Sequence, residues 1–372
     1  MNILPSTFRA ACMAALLGLF MVNGCASPIA LHRAVLEYDW TVNRIESELL
    51  LLNIARMRYH EPIHFTVVSS IAATFDFRVN TGITGAITEN PGLDSLSLTL
   101  GTSAAENPTV SIIPVQGEQF TKRLLTPISE NTIQFLAHQG IDPAILLRLM
   151  ARGIILEEGE SHRRFILNQP HRKEEYQEFR QRVMHISWLQ YARNLFIGPL
   201  QFQNGTKPTV GRIIITNYDP DSLPNHERQA LHEQANRFPL NHIKVDIRHG
   251  YPGGEFPMRG EIHLRSFKGI LGFIGRGIVQ DQEFPVAPDP RTPFVMVNPA
   301  KTLTIQESRT QPAEAIVSAK KRDRWYYIEE ESEAGELEDQ WNHEAFDILY
   351  QLYHLTVTDI SQTPAVPITI SK

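Results

Sequence analysis

The feature that most constrains this chain is an uncharged apolar run of 13 residues near its start, at positions 10–22. Arg9, directly before the run, is the first charged residue. A helix needs about 20 apolar residues to cross the hydrocarbon core of a bilayer, so this run is too short for a permanent anchor. A charged start followed by a short apolar run is typical of an export signal that is removed. We therefore expect the folded protein to begin after the run.

The run ends in Val22, Asn23, Gly24 and Cys25. These residues resemble the lipobox of bacterial lipoproteins, in which an aliphatic, a variable and a small residue precede the modified cysteine. The resemblance implies that residues 1–24 are removed, that a diacylglycerol is joined to the Cys25 thiol and that the new amine is acylated. Each buried methylene contributes about 0.8 kcal/mol to membrane binding, so two or three acyl chains would anchor the protein durably. The alternative is an ordinary secretory signal, which would leave a soluble periplasmic protein.

Ala26 follows the cysteine, and the resemblance implies passage to the outer membrane, where the protein would face the periplasm. The chain has only two cysteines, and Cys12 lies in the apolar run. Cleavage would leave Cys25 alone, so no disulfide could form within one molecule. The fold must then depend on its core, which a chain of this length can bury.

Removing residues 1–24 leaves 348 residues, which favours two domains of about 150 residues each or one elaborated domain. We predict the boundary at Gly198-Pro199, giving an N-terminal domain at 25–198 and a C-terminal domain at 199–372. The 35 basic and 41 acidic side chains give a net charge of -6 and are mixed along the chain. Nucleic-acid binding needs clustered positive charge, so no nucleic-acid partner is expected.

A long amphipathic helix is predicted at residues 30–59. Its apolar positions are alternately 4 and 3 residues apart: Leu31, Val35, Tyr38, Val42, Ile45, Leu49 and Leu52. This heptad repeat could bind a partner helix, which leaves a homo-oligomer open. However, residues 49–54 are apolar nearly all round, and this favours burial in the protein's own core.

Residues 63–115 have the pattern of strands. In 95–100, Leu96, Leu98 and Leu100 alternate with serine or threonine, as expected for a strand with one buried face and one solvent-exposed face. We predict strands at 63–79, 95–100 and 109–115, with a flexible loop at 81–94 and an edge position for the last strand because of Pro114. The alternatives are a plain small sheet and a surface that adds a strand from an envelope protein partner.

The rest of the chain predicts short helices to residue 152, a hairpin at 153–167 with Gly159 at its turn, and a helix from Pro170 to about 196. That helix carries mixed charges, including Arg180 and Arg182, which are typical of a solvated face. Strands and helices then alternate, and a helix at 341–355 closes the chain. The fold class is α+β, with mixed sheets, flanking helices and a C-terminal half that is α/β or α+β.

The histidines do not have the spacing of a metal site. Two His-Glu pairs on one predicted helix begin at His226 and His232, six residues apart, whereas zinc proteases need histidines four apart. Six residues turn a helix by about 600 degrees and so place the pairs on different faces. His242, His249 and His263 lie in or near strands and have no cysteine to join them. The sequence therefore predicts no metal ligand, catalytic residue or cofactor, although ligands could still meet in three dimensions.

Two other motifs are incomplete. Gly269, Gly272, Gly275 and Gly277 have the order GxxGxxGxG, not that of a dinucleotide loop, and favour one helix face packed closely on a neighbour. The alternative is an interfacial segment at a membrane or an oligomeric neighbour, flanked by Lys268 and Arg276. The pair Ser318 and Lys321 matches SxxK, but the companion motifs of penicillin-interacting enzymes are missing.

Near the end of the chain, a basic run at 320–324 precedes an acidic run at 329–339. Charge runs of this kind are mostly solvated, and the alternative is a contact with a cation or a lipid headgroup.

Two functional hypotheses follow. The first is a lipid-anchored envelope lipoprotein with a non-catalytic structural or docking role. The mature part also resembles proteobacterial lipoproteins of unassigned function, through ELLLLNIARMRYHEP and NPTVSIIPVQGEQF. The alternative is a periplasmic hydrolase acting on cell wall or polysaccharide with two carboxylates. A deep pocket with paired acids would favour the hydrolase, and a flat apolar patch would favour docking.

Overall fold

The computed structural model describes residues 32, 35–86, 95–159, 162–237, 241–333 and 335–357, with residues 67–113 described by their backbone. The chain forms two compact units. One comprises Met1–Glu46, Thr66–Pro114 and Thr363–Lys372, and the other comprises Ser47–Phe65 and Val115–Gln362. Cys25 lies outside the described residues.

The helices of the described residues are α1 (35–58), α2 (Glu118–Leu125), α3 (Glu130–His138), α4 (Pro143–Met150), α5 (Lys173–Tyr191), α6 (Asn225–Asn236), α7 (Phe267–Gly277) and α8 (Glu336–Val357), with a 3-10 turn at Pro220–Ser222. The strands are β1 (Phe65–Ala86), β2 (Ser95–Val115), β3 (Ala151–Glu158), β4 (His162–Leu167), β5 (Phe196–Asn204), β6 (Lys207–Thr216), β7 (His242–Ile247), β8 (Met258–Leu264), β9 (Gln306–Ser308), β10 (Val317–Lys321) and β11 (Arg324–Ile328). None of these helices is both long and apolar enough to cross a membrane.

The first unit contains β1 and β2, which form a two-stranded sheet. The predicted division into three strands is wrong here, because residues 81–86 of the predicted loop extend β1 and β2 continues through Pro108 to Val115. The rest of the predicted loop lies outside the described residues.

In α1 the structure confirms the predicted burial of apolar residues within 49–54, whereas the N-terminal part of the heptad seam is exposed. Val35 and Ile45 of that seam are 56% and 39% exposed, whereas Leu50, Leu51 and Ile54 are fully buried. The buried residues come from the segment that is apolar nearly all round, because burial on several sides needs an apolar surface wider than one stripe.

A six-stranded sheet of order β4-β3-β8-β7-β6-β5 organises the second unit. Only β6 and β7 pair in parallel; the other pairs within this sheet are antiparallel. Together with the helices, this mixed sheet confirms the predicted α+β class. The predicted domain boundary after Gly198 lies inside β5, and the sheet contains strands from both sides of it, so its hydrogen-bond ladders join the two predicted halves.

The two faces of this sheet differ in chemistry. Ile154, Ile262 and Ile243 occupy one row across β3, β8 and β7 and are fully buried. The next row places His242 of β7 opposite His263 of β8. This polar row shares its face with Ile214 of β6, on which α6 packs through Leu231.

Buried arginines fix the segment that follows α7. The predicted solvated position of Arg180 is wrong, because its side chain is 1% exposed and donates to the carbonyls of Pro299 and Ala300. Arg148 donates to the same two carbonyls. Glu283, 7% exposed, lies 3.4 Å from the Arg148 guanidinium and balances part of the charge. The segment without regular structure is therefore held by charge-assisted hydrogen bonds.

The glycines of α7 confirm the predicted close helix packing. A Cβ on Gly275 would lie 2.7 Å from the carbonyl oxygen of Ile54 and 3.0 Å from the backbone nitrogen of Arg58, both in α1. A Cβ on Gly277, two residues later, would have no atom of another described element within 4 Å.

We predict that Gly275→Ala lowers the free energy of unfolding by about 1–3 kcal/mol, because an added methyl forces α1 and α7 apart. Urea unfolding followed by circular dichroism measures this change. Gly277→Ala is the matched control and should leave stability unchanged or slightly raise it, since alanine favours helix. Equal losses in both variants would contradict a packing role for Gly275.

Candidate metal centre

In the two His-Glu pairs of α6, His232 and Glu227 contact residues outside the pairs. On α6, His232 Nε2 lies 2.7 Å from the side-chain amide nitrogen of Asn236, and its ring stacks near Phe202. Glu227 forms an ion pair with Arg248. His249, which follows β7, is exposed.

The SxxK pair lies on β10, a strand, and Lys321 forms an ion pair with Glu61. In penicillin-interacting enzymes the serine and the lysine are separated by one helical turn. Here both lie on a strand, so they do not have that arrangement.

The sheet instead brings together His242, Glu261 and His263. One potential ligand atom of each lies within 4.8 Å of the others. The antiparallel register causes this, since His242 is paired directly with His263, and Glu261 precedes His263 by two positions and so points to the same face. Sequence spacing could not reveal the cluster because the two strands are 10 residues apart in the chain and their register was unknown.

Glu261 is the unusual member of the cluster. Its side chain is 1% exposed, and neither carboxylate oxygen has a hydrogen-bond partner within the described residues. The opposite residue, Lys244, directs its Nζ to Glu157, 3.0 Å from each oxygen of that carboxylate. A buried carboxylate without a hydrogen bond is costly, so this oxygen pair is a site where a ligand would be stabilising.

The electrostatics favour neutral side chains in the cluster. Burial raises the pKa of Glu261 to about 7, against the opposing effect of Lys244. Burial and the nearby His242 lower the pKa of His263 to about 4. Burial, followed by the charge of Arg212, also lowers the pKa of His242. Both imidazoles are therefore uncharged near neutral pH, which is the state that binds metal ions.

Neighbouring residues hold the cluster in place. Arg212 of β6 donates to the carbonyl of His242 at 2.7 Å and to the carboxylate of Glu130 at 2.9 Å. The two imidazole rings are stacked with centroids 3.6 Å apart. The ring of Phe165 lies 5.1 Å from that of His263, and a Cβ on Gly153, the partner of His263 on β3, would lie 2.7 Å from the Phe165 ring. Because Gly153 has no side chain, the Phe165 ring can lie beside His263.

A separate cavity of about 430 Å³ lies among the C-terminal elements. Its lining includes the acids Glu329, Glu331, Glu333, Glu338 and Asp339. Hydrogen bonds from Ser332 lower the pKa of Asp339, which suits a carboxylate and not a general acid. Part of the acidic run that was predicted as solvated therefore lines a concave surface.

No family model matches the chain, and neither a curated protein nor a solved structure is similar enough to count as a match. The chemistry of the cluster therefore has to be inferred from its own geometry.

The raised pKa of Glu261 predicts a specific pH dependence of stability. In metal-free protein the folded state keeps the Glu261 proton up to about pH 7, whereas the unfolded state loses it near 4.5. Stability from this group is therefore complete below pH 4.5 and is lost as the pH rises to 7. We expect wild type to lose on the order of 2–3 kcal/mol relative to Glu261→Gln across this range.

Urea unfolding of both proteins with a chelator, at intervals between pH 4.5 and 8, measures the difference. Glu255→Gln, at an exposed position close in sequence, is the control and should follow wild type. If the free energies of unfolding of wild type and Glu261→Gln changed in parallel with pH, the raised pKa of Glu261 would be contradicted.

Proposed function

We propose that this chain is an envelope protein whose folded domain binds a divalent transition-metal ion, with zinc as the best fit, through His242, Glu261 and His263. The observation that carries the proposal is the buried Glu261 carboxylate, whose oxygens have no hydrogen-bond partner among the described residues and face two imidazoles. A metal ion would supply the missing partner for both oxygens.

The donor set selects the class of metal. Two imidazole nitrogens and a carboxylate suit zinc and similar transition metals, whereas magnesium and calcium prefer oxygen ligands alone. Binding would displace a proton only from Glu261, since both imidazoles are already neutral near pH 7.

Metal binding would require a small movement of the three ligand side chains. Three atoms within 4.8 Å of one another all lie within about 2.8 Å of a common point, compared with zinc–nitrogen bonds of about 2.0–2.1 Å. The side chains must move inward by less than 1 Å, and the stacked rings must rotate so that their lone pairs converge. His242 and His263 are not fully buried, which leaves room for that rotation.

We predict that purified wild type binds one zinc ion per chain, whereas Glu261→Gln and His263→Gln bind it at least tenfold more weakly. Removing one ligand of three lowers affinity and, in the glutamate variant, also removes the charge that offsets the metal. Isothermal titration with zinc gives the affinity, and mass spectrometry of metals in dialysed protein gives the stoichiometry.

The control is His249→Gln, which removes an exposed histidine near the same strand and should bind zinc as wild type does. Zinc at 100 times its dissociation constant should raise the free energy of unfolding of wild type by about 2.7 kcal/mol. Equal binding by wild type and the two ligand variants would refute the site.

We also propose that the protein is held at the outer membrane by acyl chains on Cys25, faces the periplasm and has a binding or docking role with an envelope protein partner. Support comes from the sequence at positions 22–25 and from the short apolar run before it. A metal held by strand residues fits such a non-catalytic role, because it would stiffen the sheet on which a partner docks.

For the anchor, we predict that wild type expressed in a Gram-negative host carries acyl mass and sediments with outer membranes. Cys25→Ala should stay unprocessed or become soluble, since the acylated thiol is absent. Intact-mass spectrometry and membrane fractionation measure both properties. A soluble, unacylated wild type would contradict the anchor while leaving the metal proposal untouched.

The donor set also favours a second candidate, a metal-dependent periplasmic hydrolase. His242, Glu261 and His263 would hold the metal ion through three ligands, and the ion would then supply Lewis-acid chemistry for hydrolysis. Hydrolysis of cell-wall or polysaccharide fragments by wild type with zinc, but not by Glu261→Gln, would support this candidate over the docking role.

A further inference from the structure

The two-stranded sheet of β1 and β2 is unusually long. Its strands contain 22 and 21 residues, whereas strands in globular proteins average about 5–6. Within the described residues, each strand pairs only with the other. We propose that this sheet pairs edge to edge with the same sheet of a second copy of the chain. The proposal rests on neither the metal site nor the lipid anchor.

The strands must be antiparallel. Eight residues connect them, and eight residues reach at most about 29 Å. A parallel arrangement would require the connection to return along a strand of 22 residues, about 70 Å. Within the described residues, an antiparallel pair of this kind has one edge of each strand without a neighbouring strand.

The sequence gives each strand one apolar face. Alternate positions of β1 share a face, and one set is mostly apolar: Phe65, Val67, Ile71, Phe75, Phe77, Val79 and Ile83. The other set is mostly polar: Thr66, Ser70, Thr74, Asp76, Arg78, Asn80 and Thr84. In β2 the apolar set includes Leu96, Leu98, Leu100, Val110 and Ile112. Two strands with one apolar face are marginally stable alone, and three or more are needed for independent stability.

A second copy of the chain is the partner best suited to supply the additional strands. It supplies strands of the same length and the same alternation, so apolar faces stay together when the sheet is extended. Half of the residues in each strand direct their N–H and C=O groups outward, so full pairing of two such edges would form about 20 hydrogen bonds. A typical stable interface has about 10. The available backbone pairing is therefore sufficient for a stable assembly.

The two edges are not equivalent. β1 contains no proline, so every outward N–H group can donate. β2 contains Pro108 and Pro114, which lack a donor and occur in sheets mainly at edges. A β1-to-β1 contact and a contact between β1 and residues 95–107 both avoid these prolines.

Single cysteines test the contact in the full-length protein purified from host membranes in mild detergent. Thr74→Cys marks β1, Ser103→Cys marks β2, and the exposed Glu314→Cys, in the second unit, is the control. A short bismaleimide should join two chains of Thr74→Cys if β1 pairs with β1. It should join chains only in a mixture of the Thr74 and Ser103 variants if β1 pairs with β2. Either product supports the proposal, provided that wild type and the control give none.

A pair of prolines tests whether the backbone edge makes the contact. Adjacent residues direct their N–H groups to opposite edges, so Phe75→Pro and Asp76→Pro interrupt different edges of β1. One of the two should lower the oligomeric mass measured by light scattering without changing the helical circular dichroism signal. A wild type that is monomeric, including one that binds detergent as a monomer, would overturn the proposal. So would an oligomer that neither proline affects.

Discussion

The second unit depends on buried guanidinium groups that donate to backbone carbonyls where regular structure ends. Arg265, at the end of β8, donates to the carbonyls of Arg148 and Leu149 in the last turn of α4 and to that of Asn168. These helix carbonyls have no partner within the helix, so a side chain must satisfy them. Burial lowers the pKa of Arg265 to about 9, and the group stays charged at neutral pH. Removing this group would take a donor from the buried carbonyls of Leu149 and Asn168, whereas the Arg148 carbonyl would still accept from the Asn168 side chain.

The same principle positions the candidate metal centre. Arg265 fixes the end of β8 two residues after His263, and Arg212 fixes the start of β7 through the carbonyl of His242. Arginines therefore hold both strands at the end of the ladder where the two histidines meet. Glu261 differs from the other buried acids because its neighbours do not satisfy it. Glu283, for comparison, accepts hydrogen bonds from Tyr176 and Thr302.

Much of the second unit could be predicted from local chemistry. Asp142 and Pro143 are residue types that favour a helix start, and the Asp142 side chain accepts from the Ala144 backbone nitrogen at the start of α4. Gly159 predicted the turn between β3 and β4 and has a φ of 79°, which glycine adopts readily. The glycines of α7 predicted close packing, and Gly275 contacts α1. In α8, Trp341, Leu352 and Leu355 have the spacing of one helix face. Trp341 and Leu352 are buried, but Leu355 is 62% exposed.

Long-range pairing could not be predicted in this way. The proline at position 199 resembled a domain boundary, yet it lies within β5, whose antiparallel ladder with β6 has an irregularity at Pro199. Arg180 had the charge pattern of a solvated face and is buried, because the carbonyls it satisfies lie about 120 residues later in the chain. The candidate metal ligands were missed for the same reason, since strand register is decided by tertiary packing.

The sequence by itself determined the α+β class and the positions of many helices and strands of the second unit, because these depend on composition and on spacing over a few residues. Only the tertiary structure decided which strands are neighbours, which charged groups are buried and which histidines meet. Those outcomes depend on contacts between residues far apart in the chain, whose energies no local pattern contains.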